Sequence, residues 1–283
     1  MLRVATRGSA LARRQAESVV ELLGTPPHEF VIVTTSGDAR QDAPIHQLGG
    51  QGVFVKEVQA ALVEGRADIA VHSAKDLPAV TPGGIVIGAV PERADPRDAL
   101  VGATLADLAR GARVGTGAVR RRAQLRAARP DLEFGELRGN IDTRLAKAAN
   151  FDAVVVALAA LERLGRASVV SEVLSIEVMV PQVGQGALAV ECRSDDDATL
   201  ELLSSIDHPR SRQTVTAERL FLAELGGGCD TPVGAHATID EIGTMTLVAF
   251  LEVDGWARRA ELRGRDAARV AREAVAALRE GTR

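Results

Sequence analysis

The stretch Asp68-Ile-Ala-Val-His-Ser-Ala-Lys-Asp-Leu-Pro78 contains a short apolar strand that runs directly into a polar turn. Lys75 and Asp76 lie in that turn, at the carboxyl end of the predicted strand. Open parallel sheets bind their ligands in such turns, where strands end and helices begin. The stretch therefore predicts an α/β fold with a functional site at this end of a sheet.

Short β-branched runs alternate with Ala-, Leu- and Arg-rich helical runs along the rest of the chain. This alternation predicts α/β layers with mostly parallel sheets. The predicted strands include Phe30–Thr34, Asp68–Val71, Ile85–Ala89, Arg113–Val114, Ala153–Val156 and Ala187–Cys192. The predicted helices include Ala10–Leu23, Val55–Glu64, Leu105–Leu108, Val119–Ala128, Ile141–Ala149, Asp195–Ile206, Val215–Leu225 and Ala267–Glu280.

Two stretches are predicted to cross between domains, Pro91-Glu-Arg-Ala-Asp-Pro-Arg-Asp98 and Val180-Pro-Gln-Val-Gly-Gln-Gly186. If the chain crosses at both, the residues between them form a middle domain inserted into the first. We therefore expect domain 1 at residues 1–92 and 184–204, domain 2 at 93–183, and a smaller domain 3 at 205–283. Alternating strands near 235–262 and a final helix belong to this third unit.

Composition excludes several classes of protein. Hydrophobic residues make up 46% of the 283 residues and charged residues 25%, which is typical of a globular protein and not of a disordered, collagenous or coiled-coil chain. The net charge is −4 and aromatic residues are only 2%, so we expect no nucleic-acid partner. No apolar run reaches about 18 residues, and the N-terminus has no signal-peptide pattern. We therefore expect a cytoplasmic protein without membrane contact, whose two cysteines are free thiols.

Basic side chains recur in the predicted strand-to-helix turns. A helix N-terminus carries partial positive charge, so a cation placed there is mildly unfavourable unless an anion binds beside it. The pattern therefore predicts a site for carboxylates or phosphates, whereas the alternative for each residue is a solvated helix face. A phosphate-binding loop of the NTPase type is a poor fit, because Gly115–Arg122 lacks the Gly-Lys-Ser/Thr ending. The cations are Arg7, Lys75, Arg120, Arg121, Arg138 and Arg144.

Asp76 and a glycine-rich segment have two interpretations each. The Asp76 carboxylate is placed to handle a proton or to stabilise a cation on the ligand, or else it is a turn carboxylate paired with Lys75. The segment Gln47–Glu57 is either a mobile lid, with Phe54 and Lys56 near its hinge, or a plain connection.

The segment Gly226-Gly-Gly-Cys-Asp-Thr-Pro232 places Cys229 on a loop with little steric cover. Cys192, within an apolar strand, is interpreted as a small core residue. The five histidines show neither a partner motif for a nucleophilic thiol nor metal-ligand spacing, so no metal is predicted. A covalent tether therefore fits Cys229 better than a protease-like nucleophile.

Several motifs together resemble the porphobilinogen deaminase family, also called hydroxymethylbilane synthases. They run in order from residue 5 to about 235, and no diagnostic motif follows. As they stand in this sequence, they are ATRGSALARRQ, GGQGVFVKE, DIAVHSAKDLP, DPRDAL, RRAQL, LRGNIDTRL, PQVGQGALAVECR and AERLFLAELGGGCDTPVGA.

The resemblance implies a fold of three α/β domains, the first two bilobal like type II periplasmic binding proteins. It implies a monomeric transferase of tetrapyrrole and heme biosynthesis, with a dipyrromethane cofactor attached to Cys229 through a thioether. Four porphobilinogen molecules are then added head to tail, each losing ammonia, and hydrolysis releases hydroxymethylbilane. Each pyrrole carries an acetate and a propionate, which agrees with the row of cations.

The resemblance also implies roles for individual residues. Asp76 matches the catalytic aspartate, which protonates the leaving amine and stabilises the cationic azafulvene. The residues that match cofactor-binding positions are Cys229, Lys75, Ser73, Thr116, Arg120, Arg121, Arg144 and Gln185. Those that match substrate-binding positions are Arg7, Ser9, Gln15, Arg138 and Lys56.

Some positions depart from the family pattern. Gly117 and Ala118 stand where two serines are common, so backbone N–H groups are expected to replace two hydroxyls. Gln51 stands where the lid often has lysine, and Gln182 replaces a small residue.

Two other functions agree less well with the sequence than the deaminase. A non-catalytic cytoplasmic anion-binding or effector-sensing module of the same bilobal shape would explain the arginines but has no use for Cys229. A thiol enzyme acting on acyl groups lacks a histidine-based activation motif.

Overall fold

The computed structural model describes residues 1–35, 55–226 and 231–280. The strands in this part of the chain are β1 (Leu2–Arg7), β2 (His28–Val33), β3 (Ile69–Ser73), β4 (Ile85–Ala89), β5 (Asp98–Val101), β6 (Arg113–Gly115), β7 (Glu133–Gly135), β8 (Ala153–Ala157), β9 (Glu172–Val173), β10 (Leu188–Arg193), β11 (Val233–Ile239), β12 (Met245–Val253) and β13 (Trp256–Gly264). The α-helices there are α1 (Ala10–Leu22), α2 (Lys56–Val63), α3 (Val119–Ala128), α4 (Ile141–Ala146), α5 (Leu158–Arg163), α6 (Asp197–Ser204), α7 (Pro209–Leu225) and α8 (Ala267–Glu280).

The described strands form three sheets. The first has the order β2-β1-β3-β10-β4, the second β7-β6-β8-β5-β9, and the third β11-β12-β13. The first sheet takes its strands from residues 2–89 and 188–193, and the second from residues 98–173. The predicted fold class, two α/β lobes with a smaller C-terminal α/β unit, is confirmed.

The expectation of mostly parallel sheets is wrong. In the first sheet β1 pairs in parallel with β2 and β3, but β10 runs antiparallel to both β3 and β4. In the second sheet β5 runs antiparallel to β8 and β9. β5 and β10 are the strands that directly follow the passages from one sheet to the other, and each enters its sheet against its neighbours.

The three largest differences from the predicted helices are the following. Residues 105–108 form a turn rather than a helix, and Gly111, at φ +78°, turns the chain towards β6. Helix α7 begins at Pro209, earlier than predicted, because the His208 side chain caps its N-terminus and proline suits the first helical position. Helix α4 ends early, at Ala146. Helix α5 and strands β5, β7 and β9 were not predicted.

The two passages between the sheets lie against each other and against the turn that carries Asp76. The Ala94 amide donates to the Gly186 carbonyl at 3.3 Å. A Cβ on Gly186, which has φ +87°, would come within 2.5 Å of the Ala94 carbonyl oxygen. A Cβ on Gly184, at φ +72°, would lie 3.0 Å from the Ala74 carbonyl carbon. Glycine at 186 lets the two passages pack closely on each other, and glycine at 184 lets the second passage pack on the Ala74–Asp76 turn.

Helix α7 anchors the C-terminal unit. Its Phe221 is fully buried and packs with Leu247 of β12 and Leu278 of α8. Burying a phenylalanine side chain contributes about 1.5–3 kcal/mol. The unit also contacts the second passage, since the Ala235 amide donates to the Pro181 carbonyl at 3.0 Å. Helix α7, which precedes residues 227–230 in the sequence, is thus fixed against the rest of the molecule.

Candidate active site between the lobes

Asp76 lies at the border of two clefts. It ends a short 3-10 turn, Ala74–Asp76, that directly follows β3. The first cleft, of about 690 Å³ and open to solvent, is lined by Ala74, Lys75, Asp76, Leu77, Ala118, Val119, Arg120, Gln182, Val183, Arg219, Leu222, Thr231 and Val233. The second cleft, of about 370 Å³, is lined by Arg7, Ser9, Leu11, Ala12, Gln15, Val55, Val71, His72, Ser73 and Asp76.

Three parts of the molecule form the walls of the first cleft. The turn after β3 supplies one wall, the start of α3 in the second lobe supplies another, and α7 with the start of β11 supplies the third. In the sequence, Leu222 precedes and Thr231 follows residues 227–230. The first cleft is therefore lined by residues that flank Cys229 in the sequence, and Cys229 itself lies outside the described residues.

A buried carboxylate pairs with two arginines, of which Arg120 lines the first cleft and Arg121 does not. Asp98, at the start of β5, is fully buried, and its Oδ2 and Oδ1 atoms lie 2.7 Å from Nη2 of Arg120 and Nη2 of Arg121 respectively. Burial alone would raise the pKa of Asp98, but the two guanidinium groups hold that pKa well below its usual range. Arg120 and Arg121 converge on one carboxylate although successive helix positions point about 100° apart, because their side chains are long.

Lys75 is held by a pair of glutamine side chains. Its Nζ donates to Oε1 of Gln185 at 3.4 Å, and Nε2 of Gln185 donates to Oδ1 of Asp98 at 3.0 Å. Nε2 of Gln182 donates to the Lys75 carbonyl at 3.3 Å. Burial lowers the pKa of Lys75 to about 8, against the opposing effect of Asp76. The lysine is therefore a cation at neutral pH that an anion would stabilise.

Arg144 and Arg138 add to the positive charge. Burial, together with the nearby charges of Arg121 and Arg138, lowers the pKa of Arg144 to about 10. Within the described chain, neither Lys75 nor Arg144 has a carboxylate at ion-pair distance, whereas Arg138 is paired with Glu136 at 3.0 Å. The cluster has more cations than carboxylates, and guanidinium groups bind carboxylates in a bidentate manner. It therefore fits a ligand with several acidic side chains.

The second cleft brings together four residues predicted from separate motifs. Arg7 ends β1, and the Ser9 Oγ accepts from the Ala12 amide at 3.2 Å and so caps α1. From the same helix, Nε2 of the buried Gln15 donates to Oγ of Ser73 at 2.8 Å, which links α1 to the end of β3. Arg7, Ser9 and Gln15, which were predicted to bind substrate, thus line one cleft, whereas Ser73 was predicted to bind the cofactor. Ser73 lies here, with the residues predicted for substrate.

The Asp76 carboxylate is open to both clefts. Among residues 1–35, 55–226 and 231–280 it accepts no hydrogen bond and forms no ion pair, so the alternative of a fixed pair with Lys75 is not what the structure shows. Lys75 and Arg144 are close enough to interact with it electrostatically. An ionised carboxylate in this position faces any cation that forms between the clefts.

The remaining predicted residues lie in different surroundings. Thr116 is buried, and its Oγ1 accepts from the Ala118 amide at 3.2 Å, so that amide is not available to replace a missing hydroxyl. A Cβ on Gly117 would lie 3.0 Å from the Leu137 carbonyl oxygen, which leaves little room for a larger residue. Lys56 is exposed at the start of α2 and lines neither cleft. Gln51 and Phe54 of the predicted lid lie outside the described residues.

Cys192 is the core residue predicted. It is fully buried in β10, and burial raises the pKa of its thiol to about 11. A thiol with so high a pKa is almost entirely protonated at neutral pH and is a poor nucleophile. Cys192 is therefore unsuited to carry a covalent group.

A second buried carboxylate, Glu218, joins the C-terminal unit to both passages. Its Oε1 lies 2.6 Å from Nη1 of Arg93, and its oxygens accept from the amides of Gly184 at 2.7 Å and Ala237 at 2.8 Å. Burial opposes ionisation, but Arg93 and His236 together lower the pKa of Glu218 to about 2. Helix α7, which ends just before residues 227–230, is thus held to both passages by an ionised group.

Sequence reasoning missed Asp98, Glu218 and Arg219. Asp98 was visible as a lone carboxylate before the apolar run of β5, a position where a charge needs a partner. Glu218 and Arg219 belong to the quoted motif AERLFLAEL. The motif does not show that Glu218 contacts the two passages or that Arg219 lines the first cleft.

The described chain has no helix with both the length and the apolar character that a membrane span needs.

Comparisons with known proteins cover both parts of the chain. A family model described as porphobilinogen deaminase, dipyromethane cofactor binding domain, matches residues 2–201, and one described as porphobilinogen deaminase, C-terminal domain, matches residues 212–280. A porphobilinogen deaminase of Syntrophotalea carbinolica is 48% identical over 264 residues, 90% of this chain and 84% of the relative. One from Brevibacillus brevis is 47% identical over 258 residues, 88% of this chain and 84% of the relative. Among solved structures, an arginine-specific periplasmic binding protein of Salmonella typhimurium aligns with 75% of this chain and 96% of its own, at 15% identity and a TM-score of 0.39.

Proposed function

Because this chain belongs to the porphobilinogen deaminase family, we propose that Asp76 is the catalytic residue and that the first cleft holds the dipyrromethane cofactor. The enzyme is a hydroxymethylbilane synthase, a transferase of tetrapyrrole biosynthesis. It deaminates four porphobilinogen molecules, joins them head to tail on its dipyrromethane, and releases hydroxymethylbilane by hydrolysis. The alternative of a non-catalytic anion-binding module is not favoured, since both family models describe the deaminase.

The residues of the first cleft fit the cofactor. A dipyrromethane with acetate and propionate side chains is a polyanion. Lys75 and Arg120 line this cleft, and Arg121 and Arg144 are close enough to act on Lys75 electrostatically. The residues that would hold it are Lys75, Arg120, Arg121 and Arg144, with Gln185 orienting Lys75 and Asp98 orienting the two adjacent arginines. When bound, the cofactor would supply the terminal pyrrole carbon to which the first unit is joined, and each later unit would join the end of the growing chain.

Cys229 is the proposed attachment point. The first cleft is lined by Leu222, which precedes Cys229 in the sequence, and by Thr231, which follows it. Cys192, the other cysteine, is buried in the sheet of the first lobe with a raised pKa. The flanking residues Leu222 and Thr231 and the burial of Cys192 both support Cys229 as the cysteine that carries the ligand of this cleft.

The second cleft is the proposed porphobilinogen site. The Arg7 guanidinium and the hydroxyls of Ser9 and Ser73 suit the acetate and propionate of the substrate, and Gln15 fixes Ser73 by its hydrogen bond. Thr116, Arg138 and Lys56 stay predictions as ligand-binding residues, as do the cytoplasmic location and the monomeric state.

Asp76 carries the chemistry because it borders both clefts. Asp76 protonates the leaving amine of the substrate in the second cleft, so that ammonia can depart. In its ionised form it then neutralises the positive charge left on the pyrrole nitrogen. Its position between the clefts, which is the observation on which the proposal rests, puts this charge next to the residues that bind the acceptor.

The test is turnover by an Asp76→Asn variant. General acid–base catalysis contributes about 10²–10⁴-fold, so we expect porphobilinogen consumption and ammonia release to fall by that factor while the melting temperature is retained. Asp107→Asn, which changes an exposed carboxylate of the second lobe, is the matched control and should keep the wild-type rate. An Asp76→Asn rate within about threefold of wild type would rule out the assigned role.

A further inference from the structure

Arg219 is a cation in the wall of the first cleft opposite the proposed cofactor-binding residues. It lies on α7 of the C-terminal unit, whereas Lys75 follows β3 and Arg120 belongs to the second lobe. Its side chain is partly buried, and this burial lowers its pKa against the opposing effect of Glu191. The Arg219 guanidinium is thus partly shielded from water and still lines the first cleft.

Arg219 is paired with a hydroxyl rather than with a carboxylate. Its Nη2 donates to Oγ1 of Thr81 at 3.2 Å, and in the described parts of the chain no carboxylate lies within ion-pair distance. Arg212, on the same helix, pairs with Asp207 at 2.5 Å and also donates to two backbone carbonyls. Arg219 therefore retains donors for an anionic ligand.

We infer that Arg219 binds an acidic side chain of the pyrrole chain as this chain grows beyond the cofactor, an inference that rests on the proposed function. Each addition brings two further carboxylates into the clefts. On the opposite wall, Asp98 already offsets part of the charge of Arg120 and Arg121. A longer chain needs a new cation, and Arg219 supplies it from the third wall of the same cleft.

The apolar surroundings of Arg219 suit the same ligand. Leu222, one helical turn further along α7, and Val119 at the start of α3 line the first cleft with it. A pyrrole ring presents an apolar face between its acidic side chains. The combination of two aliphatic surfaces with one unpaired cation matches a pyrrole unit and not a simple inorganic anion.

The experiment follows single additions in the cofactor-loaded enzyme. Purified Arg219→Gln, Thr81→Val and Arg272→Gln variants are mixed with limiting porphobilinogen, and native mass spectrometry records how many units each enzyme carries over time. A charge-assisted hydrogen bond is worth about 1.5–3 kcal/mol, so Arg219→Gln should slow the later additions by roughly tenfold or more and leave the first within about twofold of wild type. Species with one or two added units should accumulate. Arg219→Lys should restore part of the rate.

The two control variants separate binding from structure. Thr81→Val removes the hydrogen-bond partner of Arg219 but keeps the guanidinium, and Arg272→Gln removes an exposed charge on α8, so both should elongate normally. If Thr81→Val reproduces the defect of Arg219→Gln, Arg219 only fixes the loop around Thr81 and the inference is wrong.

Two other results also overturn the inference. One is an unchanged elongation pattern in Arg219→Gln, and the other is an Arg219→Gln protein that lacks the cofactor mass, which would make Arg219 a cofactor-holding residue. If wild-type protein itself shows no dipyrrole mass, the proposed function has failed, and the inference falls with it for that separate reason.

Discussion

Replacing Asp98 with asparagine should strongly destabilise the cofactor-free protein. Asp98 is fully buried and shares its two oxygens between Arg120 and Arg121, each at 2.7 Å. Asparagine keeps the shape but leaves two buried guanidinium groups without a counter-charge. Removing one partner of a buried ion pair costs about 3–5 kcal/mol. For a chain of this size, about 2–4 °C of melting temperature is lost per kcal/mol, so we expect a decrease of roughly 6–20 °C.

The assay is thermal melting followed by circular dichroism, with and without cofactor. Cofactor-free protein is obtained in the Cys229→Ser background, so that ligand carboxylates do not replace the missing charge. The loss should be smaller in cofactor-loaded Asp98→Asn protein, because acidic side chains then lie beside Arg120 and Arg121. Asp131→Asn is the matched control. Asp131 also pairs with an arginine, Arg129 at 2.7 Å, but near the surface, where such pairs contribute little.

A cofactor-free Asp98→Asn protein that melts within about 2 °C of its parent would refute this reasoning. It would mean that the two guanidinium groups find water or another acceptor, and that the first cleft is not organised around a buried charge. A decrease equal to that of Asp131→Asn would have the same meaning.

Two further predictions concern pH. Glu218 has its pKa lowered from 4.5 to about 2 in the folded protein, so its contribution to stability, about 3 kcal/mol, should be complete above about pH 5 and be lost as pH falls towards 2. When the free energy of unfolding in urea is measured across this range, it should fall less steeply with decreasing pH in Glu218→Gln than in the wild type. The same pH dependence in both proteins would contradict the assignment. Lys75 has its pKa lowered from 10.5 to about 8, so it loses its charge as pH rises through 8, and incorporation of the cofactor by cofactor-free protein should slow over that range. Lys75→Arg, which stays charged, should not show this decline, and a decline that persists unchanged in Lys75→Arg would assign it to another group.

The local parts of the site could be predicted from the sequence because they depend on neighbouring residues. The strand at 69–73 and the turn that carries Lys75 and Asp76 are both encoded in one short stretch. Arg7 was predicted from the electrostatics of a helix start and Ser9 from the resemblance, and the structure places both in a cleft that Asp76 also lines. The resemblance supplied Gln15 and Gln185, which no spacing rule would have selected.

The non-local parts could not be predicted in this way. Strand direction does not show in an apolar run, so the antiparallel placement of β5 and β10 was missed. The buried counter-charges Asp98 and Glu218 acquire their partners only through tertiary packing, across 22 and 125 residues of sequence respectively. Lys56, predicted from a motif that it shares with residues outside the described chain, lies exposed at the start of α2.

The most direct measurement is the intact mass of the purified protein and of its two cysteine variants. The wild-type and Cys192→Ser proteins should both exceed their sequence masses by one dipyrromethane unit, and Cys229→Ser should match its sequence mass. The proposal that Cys229 carries the cofactor would be contradicted by active enzyme without any added mass. It would also be contradicted by an adduct that survives in Cys229→Ser and disappears in Cys192→Ser.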